Sequence, residues 1–268
     1  TGNKTNGYTF DYVEEGKYSS ISAPISDGLT WETVTTYDLG LDLSFFDTRL
    51  NFTVDGYIRD TKNMLTTGDA LPATYGATSP KTNNADLRTQ GYELSLSWKD
   101  MFMLAGKPFG YSASLVFSDY KTKITKFDNP QKLLSDYYEG QTYGEIWGYV
   151  TDGFFKTDAE AKEYQGLVDQ TAVNGIIFAA AGEENGLRAG DLKYVDINGD
   201  GKISIGENSV DNPGDRKILG NANATLQYGF TLGFDYFGFD VSAFFQGTGN
   251  HYWYPNAESM AFWGPYSR

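Results

Sequence analysis

Six segments of this chain alternate strictly between apolar and polar residues, and that alternation limits the available folds more than any other feature. In the first segment, Leu39, Leu41 and Leu43 take every second position, with Gly40 and Asp42 between them. Because the side chains of a β-strand point alternately to its two faces, a period of two predicts strands with one apolar and one polar face. The segments span residues 37–45, 50–59, 91–99, 111–118, 225–235 and 238–246.

A soluble β-sandwich would alternate in the same way, but three features favour strands that cross a membrane. The segments run for about ten residues, close to the roughly 9–11 that a tilted membrane strand needs. No charged residue lies on any of the six apolar faces. Aromatic residues stand near the ends of those faces, such as Tyr37 and Phe45, where an interfacial girdle belongs.

The connections between the segments are of two kinds. Tight turns are predicted at Asp47-Thr48-Arg49 and Phe237-Gly238, and a moderate turn over residues 99–110, whereas the connections at about 60–90 and 121–224 are long. Short turns at one end of the strands and long loops at the other are typical of an outer-membrane β-barrel. The predicted fold is therefore all-β, an antiparallel transmembrane β-barrel segment of about six strands in three hairpins with long extracellular loops.

Six strands are too few to close a bacterial barrel, which begins at about eight strands, so we expect this chain to be a segment of a larger barrel. The predicted division is an extracellular loop region at 1–35, four barrel strands at 36–120 with one long loop at 60–90, a long extracellular loop at 121–224, a barrel hairpin at 225–247 and the start of a further extracellular loop at 248–268. Within the longest loop, Thr157 and Asp158 mark the start of a predicted helix that ends at about Leu167.

The charge and the rare residues of the chain exclude several classes of function. With 21 Lys+Arg against 35 Asp+Glu, the net charge is −14, which disfavours nucleic acid as a partner. The chain has no cysteine and one histidine, His251, which leaves little for thiolate or histidine chemistry. The polar faces carry Asp38, Asp42, Asp55 and Asp240. Carboxylates are expected on the wall of a barrel lumen, so we predict no catalytic residue and no enzyme activity.

Residues 196–207 match the calcium loop of an EF-hand. The oxygen ligands would come from Asp196, Asn198, Asp200, the backbone carbonyl of Lys202, and Glu207. The residues before this loop read as a strand, unlike an EF-hand, and its Asn-Gly and Asp-Gly pairs also form plain turns. The prediction is a structural calcium ion that fixes a long surface loop, with a plain turn as the alternative.

The end of the chain is rich in aromatic side chains on which sugar rings could stack. The candidate substrate contacts are Tyr252, Trp253, Tyr254 and Trp263. Aromatic residues near the rim of a barrel also form the interfacial girdle or pack inside loops, so both interpretations stay open.

Five short motifs occur in a fixed order along the chain. They are Gly28-Leu29-Thr30-Trp31-Glu32, Gly91-Tyr92-Glu93-Leu94, residues 148–155, residues 190–203, and Phe245-Gln246-Gly247. In this combination they resemble the β-barrel of SusC/RagA-type TonB-dependent transporters of Bacteroidetes outer membranes. The resemblance runs from about residue 26 to the end of the chain.

The resemblance implies active import of oligosaccharides or peptides across the outer membrane, with energy supplied through the TonB system. It implies a SusD-like lipoprotein as a partner, outer-membrane lipid around the barrel, and loops that face the extracellular side. The plug domain and the TonB-contacting segment of that family are expected upstream of this chain. In such a barrel, Leu41, Leu94 and Phe230 would face the bilayer.

Two other functions remain compatible with the sequence. One is a secreted or surface calcium-stabilised glycan-binding β module without transport activity, and the other is a passive porin. Purification as a soluble monomer without detergent would favour the first, and a full-length sequence without a plug domain would favour the second.

Overall fold

The computed structural model describes residues 25–68, 74, 79–173, 186–249 and 251–253. Its largest element is a six-stranded antiparallel sheet, which agrees with the predicted all-β class. The strands of this sheet lie in the order β1-β2-β3-β4-β9-β10. Their bounds are β1 Thr33–Phe45, β2 Leu50–Thr67, β3 Lys81–Leu104, β4 Lys107–Lys126, β9 Leu226–Tyr236 and β10 Phe239–Gly249. Every strand therefore lies beside its neighbour in sequence, except where β4 meets β9.

Three short turns join the strands at one end of the sheet, which we name the turn end; the opposite end is the loop end. The β3–β4 turn has positive φ at Ala105 and Gly106, and the β9–β10 turn has positive φ at Phe237 and Gly238. Positive φ at both central residues gives a turn whose twist matches that of paired strands. The β1–β2 turn, over residues 46–49, is closed by a hydrogen bond from the Arg49 backbone N–H to the Phe46 carbonyl at 3.2 Å.

The strands are longer than the sequence pattern predicts. The connection expected at 60–90 is confined to residues 68–80, because β2 and β3 stay paired as far as Thr67 and Lys81. The turn expected over 99–110 is the two-residue turn at Ala105-Gly106. The alternation ends beyond about Ile58 because the face that carried the apolar residues becomes polar there, although the backbone pairing continues.

A separate small unit, the loop module (residues 127–224), is inserted between β4 and β9. It contains β5 (Glu145–Tyr149) paired with β8 (Arg216–Asn221), and β6 (Thr151–Phe154) paired with β7 (Leu192–Tyr194). The predicted helix is present as α1, Asp158–Gln165. The interval predicted as one long loop from 121 thus begins with the end of β4 and contains four short strands.

The loop module has a core, whereas the large sheet has almost none of its own. Phe155, Ala161 and Leu187 are buried together, with Tyr164 packed against them. By contrast, every residue of β1 is exposed. No helix in the described part of the chain is long and apolar enough to cross a membrane. The exposed apolar side chains of the large sheet must therefore be covered by its surroundings.

Candidate functional site

The register of the six strands sorts their side chains onto an apolar and a polar face. Leu41 of β1, Val54 of β2 and Leu94 of β3 are successive partners, and Leu94 is followed by Phe117 and Tyr228 on β4 and β9. The neighbouring row, on the other face of the sheet, has no large apolar side chain. It consists of Gly40, Asp55, Glu93, Ser118, Gln227 and Thr248.

The apolar band shifts along the strands from one side of the sheet to the other. On β1 the band begins at Tyr37, which lies in the same row across the sheet as Lys121 on β4. On β4 the band begins at Phe117, which is four residues nearer the turn end. From β1 to β4, four residues along a strand span about 13 Å and three inter-strand spacings span about 14 Å, so the slope is about 43°. Strands of outer-membrane barrels tilt by about 35–45°, and at that tilt the band lies level.

The height of the band also matches a membrane. It covers nine residues on β1, from Tyr37 to Phe45, and eleven on β9, from Leu226 to Tyr236. Eight to ten steps of about 3.3 Å, at the roughly 35–45° tilt of barrel strands, rise roughly 19–27 Å, a range that includes the ~25 Å apolar belt of a membrane barrel. The side chains of this band are mostly exposed; Leu39, for example, is 82% exposed.

Aromatic rings mark the turn end of the band. Phe109 on β4 stands at the centre of this cluster, with ring centroids 5.1 Å from Phe102, 6.0 Å from Phe234 and 5.7 Å from Tyr236. The ammonium of Lys107 lies 3.4 Å from the ring centroid of Phe237. Amphipathic rings with a cation beside them are the composition of an interfacial girdle.

The polar face forms the wall of a groove of about 790 Å³. Thr53, Ser95, Ser118, Gln227 and Gln246 supply hydroxyl and amide groups to it. Such groups offer hydrogen bonds to sugars and to peptide backbones alike. This groove is a candidate binding surface on the polar face of the sheet.

Asp55 and Glu93 are direct partners in the β2–β3 register, so their two carboxylates lie on adjacent strands of the groove wall. Asp42 is hydrogen-bonded to the Thr53 hydroxyl at 2.7 Å. Asp38 pairs with Tyr57, and Asp240 pairs with Asp235 near the β9–β10 turn. The aspartates of the polar faces, Asp38, Asp42, Asp55 and Asp240, thus lie at separate positions along the sheet.

The aromatic substrate candidates are placed in part. The backbone N–H of Tyr252 donates to the Asn221 carbonyl at 3.0 Å, and the Tyr252 ring covers Gly220. The ring closes one side of a cleft of about 540 Å³ at the loop end of β4, which Tyr143 also lines. Trp253 is 73% exposed. Tyr254 and Trp263 lie outside the described residues.

Helix α1 in the loop module begins with a reciprocal cap. The Glu160 backbone N–H donates to the Thr157 hydroxyl at 3.1 Å, and the Glu160 carboxylate accepts from the Lys156 backbone N–H at 3.0 Å. The Lys193 ammonium lies 3.3 Å from that carboxylate and 3.5 Å from Asp152. The Lys156 N–H, together with the Lys193 ammonium, holds the pKa of Glu160 below its usual range.

The predicted calcium loop folds into a tight turn around the side chain of Asp196. This carboxylate accepts from the backbone N–H groups of Gly199 at 2.7 Å and Gly201 at 2.8 Å. The Asn198 amide donates to Asp200 at 3.1 Å, and Asp200 also accepts from the Lys202 backbone N–H at 3.0 Å. The structure therefore brings three of the predicted ligand side chains into one turn.

Glu207 does not join that turn. Its backbone N–H donates to the Asn212 carbonyl at 3.0 Å, and among the described residues no three acidic or histidine side chains are grouped to hold a metal ion. The residues fit a calcium ion only as far as Asp196, Asn198 and Asp200 go. A site with these three lacks the bidentate carboxylate expected at position twelve.

The residue that closes this loop is Asp215, which sequence reasoning missed. Asp215 is fully buried, and its two carboxylate oxygens accept from the backbone N–H groups of Ile197 and Ser204, both at 2.8 Å. It thereby ties together both flanks of the turn. Its position just before a β-strand carries no motif, so only the three-dimensional contact identifies it.

A second buried group, Gln170, lies next to the same turn. Its side-chain oxygen accepts from the Tyr194 backbone N–H at 3.0 Å, and within the described residues its Nε2 has no hydrogen-bond partner. The neighbouring Asp169 exchanges backbone hydrogen bonds with Gly201 and Ile203. Backbone hydrogen bonds therefore join the segment that follows α1 to the predicted calcium loop.

A family model described as "TonB dependent receptor-like, beta-barrel" matches residues 2–268. The chain is 29% identical over 254 residues to a TonB-dependent receptor of Formosa agariphila, which covers 85% of this chain and 23% of the relative. It is 27% identical over 239 residues to the TonB-dependent receptor SusC of Bacteroides thetaiotaomicron, covering 88% of this chain and 21% of that protein. The chain thus spans less than a quarter of the length of these relatives.

Solved structures share the fold. The RagAB peptide transporter matches with a TM-score of 0.59 at 20% identity, covering 91% of this chain and 23% of the matched chain. The RagAB peptide importer in its closed-closed state matches with a TM-score of 0.58 at 22% identity, covering 92% of this chain and 24% of the other. In both cases the likeness is one of fold, and again the chain corresponds to about a quarter of the matched protein.

Proposed function

This chain belongs to the TonB-dependent receptor-like β-barrel family of the bacterial outer membrane, and from that premise we propose that it forms part of the wall of a TonB-dependent importer. The observation that carries the proposal is the level apolar band, with a polar groove on the opposite face of the same six strands. A soluble module gains nothing from a band roughly 19–27 Å high that slopes at the angle of membrane strands. The alternative of a secreted glycan-binding module is therefore the weaker one.

In this proposal the substrate moves along the polar face. The groove offers hydroxyl, amide and carboxylate groups from adjacent strands, such as Ser118, Gln227 and Glu93. The matched RagAB structures are those of a peptide transporter, which supports peptides, whereas the SusC/RagA-type resemblance of the sequence motifs implies oligosaccharides or peptides. We propose one of these two classes as the cargo, and no catalytic step for the lumen carboxylates.

The proposed partners are a SusD-like lipoprotein over the loop end and the TonB system. The loop module and the segment after Gly249 would face the extracellular side, because the short turns lie at the other end of the strands. Exposed apolar side chains on the module, such as Phe154, Leu167 and Ile205, support a protein contact there. Contact with TonB would involve parts of the whole protein other than these strands.

We also propose a calcium ion in the 196–207 turn. Asp196, Asn198 and Asp200 gather in one turn, where a cation would offset the charges of the two carboxylates. Glu207 stands apart, so the calcium site would use the predicted Lys202 carbonyl, with water in place of the fourth side chain. Its role would be structural.

The decisive experiment measures uptake by the full-length transporter in its native host. Labelled peptide and oligosaccharide pools are offered to cells with and without a functional TonB. The expected result is accumulation of one pool that depends both on the transporter and on TonB. Equal accumulation without TonB would indicate a passive pore, and purification of the full-length protein as a soluble monomer would contradict a membrane location.

A further inference from the structure

The outward face of the sheet does not end where the apolar band ends. Beyond the edge of the apolar band on β2, β3 and β4, the strands continue to the loop end and carry basic side chains on that same face. Lys62 stands four residues beyond Ile58, Arg88 four beyond Tyr92, and Lys121 four beyond Phe117. Lys123 follows two residues after Lys121. We call these four residues, Lys62, Arg88, Lys121 and Lys123, the basic belt.

The basic belt runs parallel to the membrane. Because Lys62, Arg88 and Lys121 keep the same distance from the sloping edge of the band, they come to one height when the strands take the tilt of a barrel. Four residues at about 3.3 Å, tilted by about 35–45°, place their Cα atoms roughly 9–11 Å above that edge. Long basic side chains bend back toward the interface, so their charges reach the headgroup layer.

The acidic residues nearby neutralise only part of this charge. Arg88 is bound by Asp60 through two contacts, Nε to Oδ1 at 2.6 Å and Nη2 to Oδ2 at 2.8 Å. Asp119 also faces outward, and Asp86, the register partner of Lys126, accepts from the Asn63 backbone N–H at 2.8 Å. Lys121 and Lys123 are exposed, and neither is within 4.0 Å of a carboxylate oxygen in the described part of the chain.

The arrangement is unfavourable for the sheet alone. Arg88 and Lys123 are direct partners in the β3–β4 register, and like charges placed opposite each other destabilise a sheet. The chain as a whole has a net charge of −14, so a positive row is not explained by composition. An anion that bridges β3 and β4 would remove the repulsion.

We propose that the basic belt binds the phosphate groups of an anionic lipid headgroup in the outer leaflet of the membrane. Phosphate is the anion that lysine and arginine clusters at a membrane surface recognise. The proposal rests on the membrane location of the sheet, but it requires no particular substrate and no partner protein. Its ligand lies on the outside of the barrel wall, opposite the substrate groove.

The test uses the full-length transporter in phosphatidylcholine nanodiscs that contain either lipid A or lipid A stripped of its phosphates. Bound lipid is counted by native mass spectrometry and titrated to obtain an apparent affinity. The test variant is Lys121→Gln/Lys123→Gln, and the control, Lys99→Gln/Lys217→Gln, removes the same charge from the groove face and the loop module. Each basic residue near an anionic surface contributes about fivefold in affinity, so the test variant should lose roughly 25-fold for lipid A.

The control and the Lys121→Arg/Lys123→Arg variant should keep the affinity of the unchanged protein, and the arginine pair also shows whether loss of binding follows from misfolding. Equal binding of the phosphorylated and stripped lipids by the unchanged protein would overturn the proposal. So would an unchanged affinity in the glutamine variant. Displacement of lipid A by inorganic phosphate at the same concentration would show a phosphate site that does not select a lipid, and would overturn the lipid assignment.

Discussion

The ring of Tyr57 on β2 lies directly over Gly91 on β3, so that a Cβ atom at position 91 would stand 2.6 Å from the tyrosine Cζ and hydroxyl oxygen. The two residues are register partners on the groove face. Glycine leaves a space in the sheet surface that the neighbouring ring fills, a pairing known to support glycines in strands. The size of residue 91 therefore fixes where Tyr57 stands in the groove.

The first prediction concerns this pair. Gly91→Ala should displace the Tyr57 ring and lower the free energy of unfolding of the full-length barrel by about 1–3 kcal/mol, the usual cost of overpacking. Gly56→Ala is the matched control, because a Cβ there meets nothing within 4 Å. Denaturant titration in lipid measures both. Equal losses for the two variants would mean that the contact with Tyr57 does not limit the size of residue 91.

The second prediction concerns the two faces of β3. Leu94→Lys places a charge inside the apolar band, two residues from its edge at Tyr92, and should cost up to about 2–4 kcal/mol on folding into lipid. Ser95→Lys, one residue away on the groove face, should cost much less because water solvates the ammonium. Leu41→Lys and Phe230→Lys should behave like Leu94→Lys. The assignment of the outward face fails if position 95 proves as sensitive as position 94.

The third prediction concerns Asp215. Asp215→Ala leaves the backbone N–H groups of Ile197 and Ser204 without their acceptor, which should destabilise the loop module by about 1–3 kcal/mol. Limited proteolysis of the full-length protein should then cut faster near residues 196–207, while the barrel strands stay protected. Asp211→Ala, at an exposed position, is the control. Unchanged cleavage in the Asp215 variant would show that the buried carboxylate is dispensable.

The fourth prediction separates the two interpretations of the 196–207 turn. If calcium binds, with a dissociation constant of about 10⁻⁴–10⁻³ M typical of extracellular modules, then a chelator should speed proteolysis in this turn and calcium should restore protection. Asp200→Ala should abolish the effect. Because Glu207 stands apart from the turn, Glu207→Ala should leave it intact. Identical cleavage rates with and without calcium would leave a plain turn.

The fifth prediction concerns acid. The pKa of the Glu160 carboxyl is held below its usual value of about 4.3. A depressed pKa means that the ionised group stabilises the fold above its unfolded pKa and that this contribution is lost as pH falls through the folded pKa. The protection of the α1 amides against hydrogen exchange, relative to their intrinsic exchange rates at each pH, should therefore fall below about pH 4.3. Glu160→Gln should weaken this acid sensitivity, and Glu163→Gln should preserve it. Sensitivity that persists in the Glu160 variant would assign the effect to another group.

The sequence predicted the membrane-spanning part of each strand and not the remainder, for a physical reason. Between Tyr37 and Phe45, lipid on one side and water on the other impose strict alternation. Near Asp60 and Lys123 the outward face carries charged side chains in place of apolar ones, so the strict alternation ends and no pattern distinguishes strand from loop. At the turn end, the run from Met101 to Leu104 is apolar on both faces, which concealed the two-residue turn.

The candidate sites were predictable only where ligands are close in sequence. Asp196, Asn198 and Asp200 lie within five residues and form one turn, as expected. The spacing of Glu207 and Asp215 in the sequence does not show which of the two carboxylates returns to the loop, because the course of the chain between them decides this. Within the described residues, the cleft at Tyr252 likewise depends on contacts with Asn221 that no local motif encodes.

The clamp at the base of the loop module has a consequence for how the barrel assembles. Asn221 and Asn223 both donate to the Tyr143 carbonyl, at 3.0 and 3.1 Å, and the Ala222 backbone N–H donates to Gly144 at 2.8 Å. Pairing of β4 with β9 across about a hundred free residues would carry roughly 2 kcal/mol more closure entropy than the short connection between β2 and β3. If the base of the module closes first, only two short segments remain to connect the module to β4 and β9. Early folding of the module would therefore speed the last hairpin of this sheet into place.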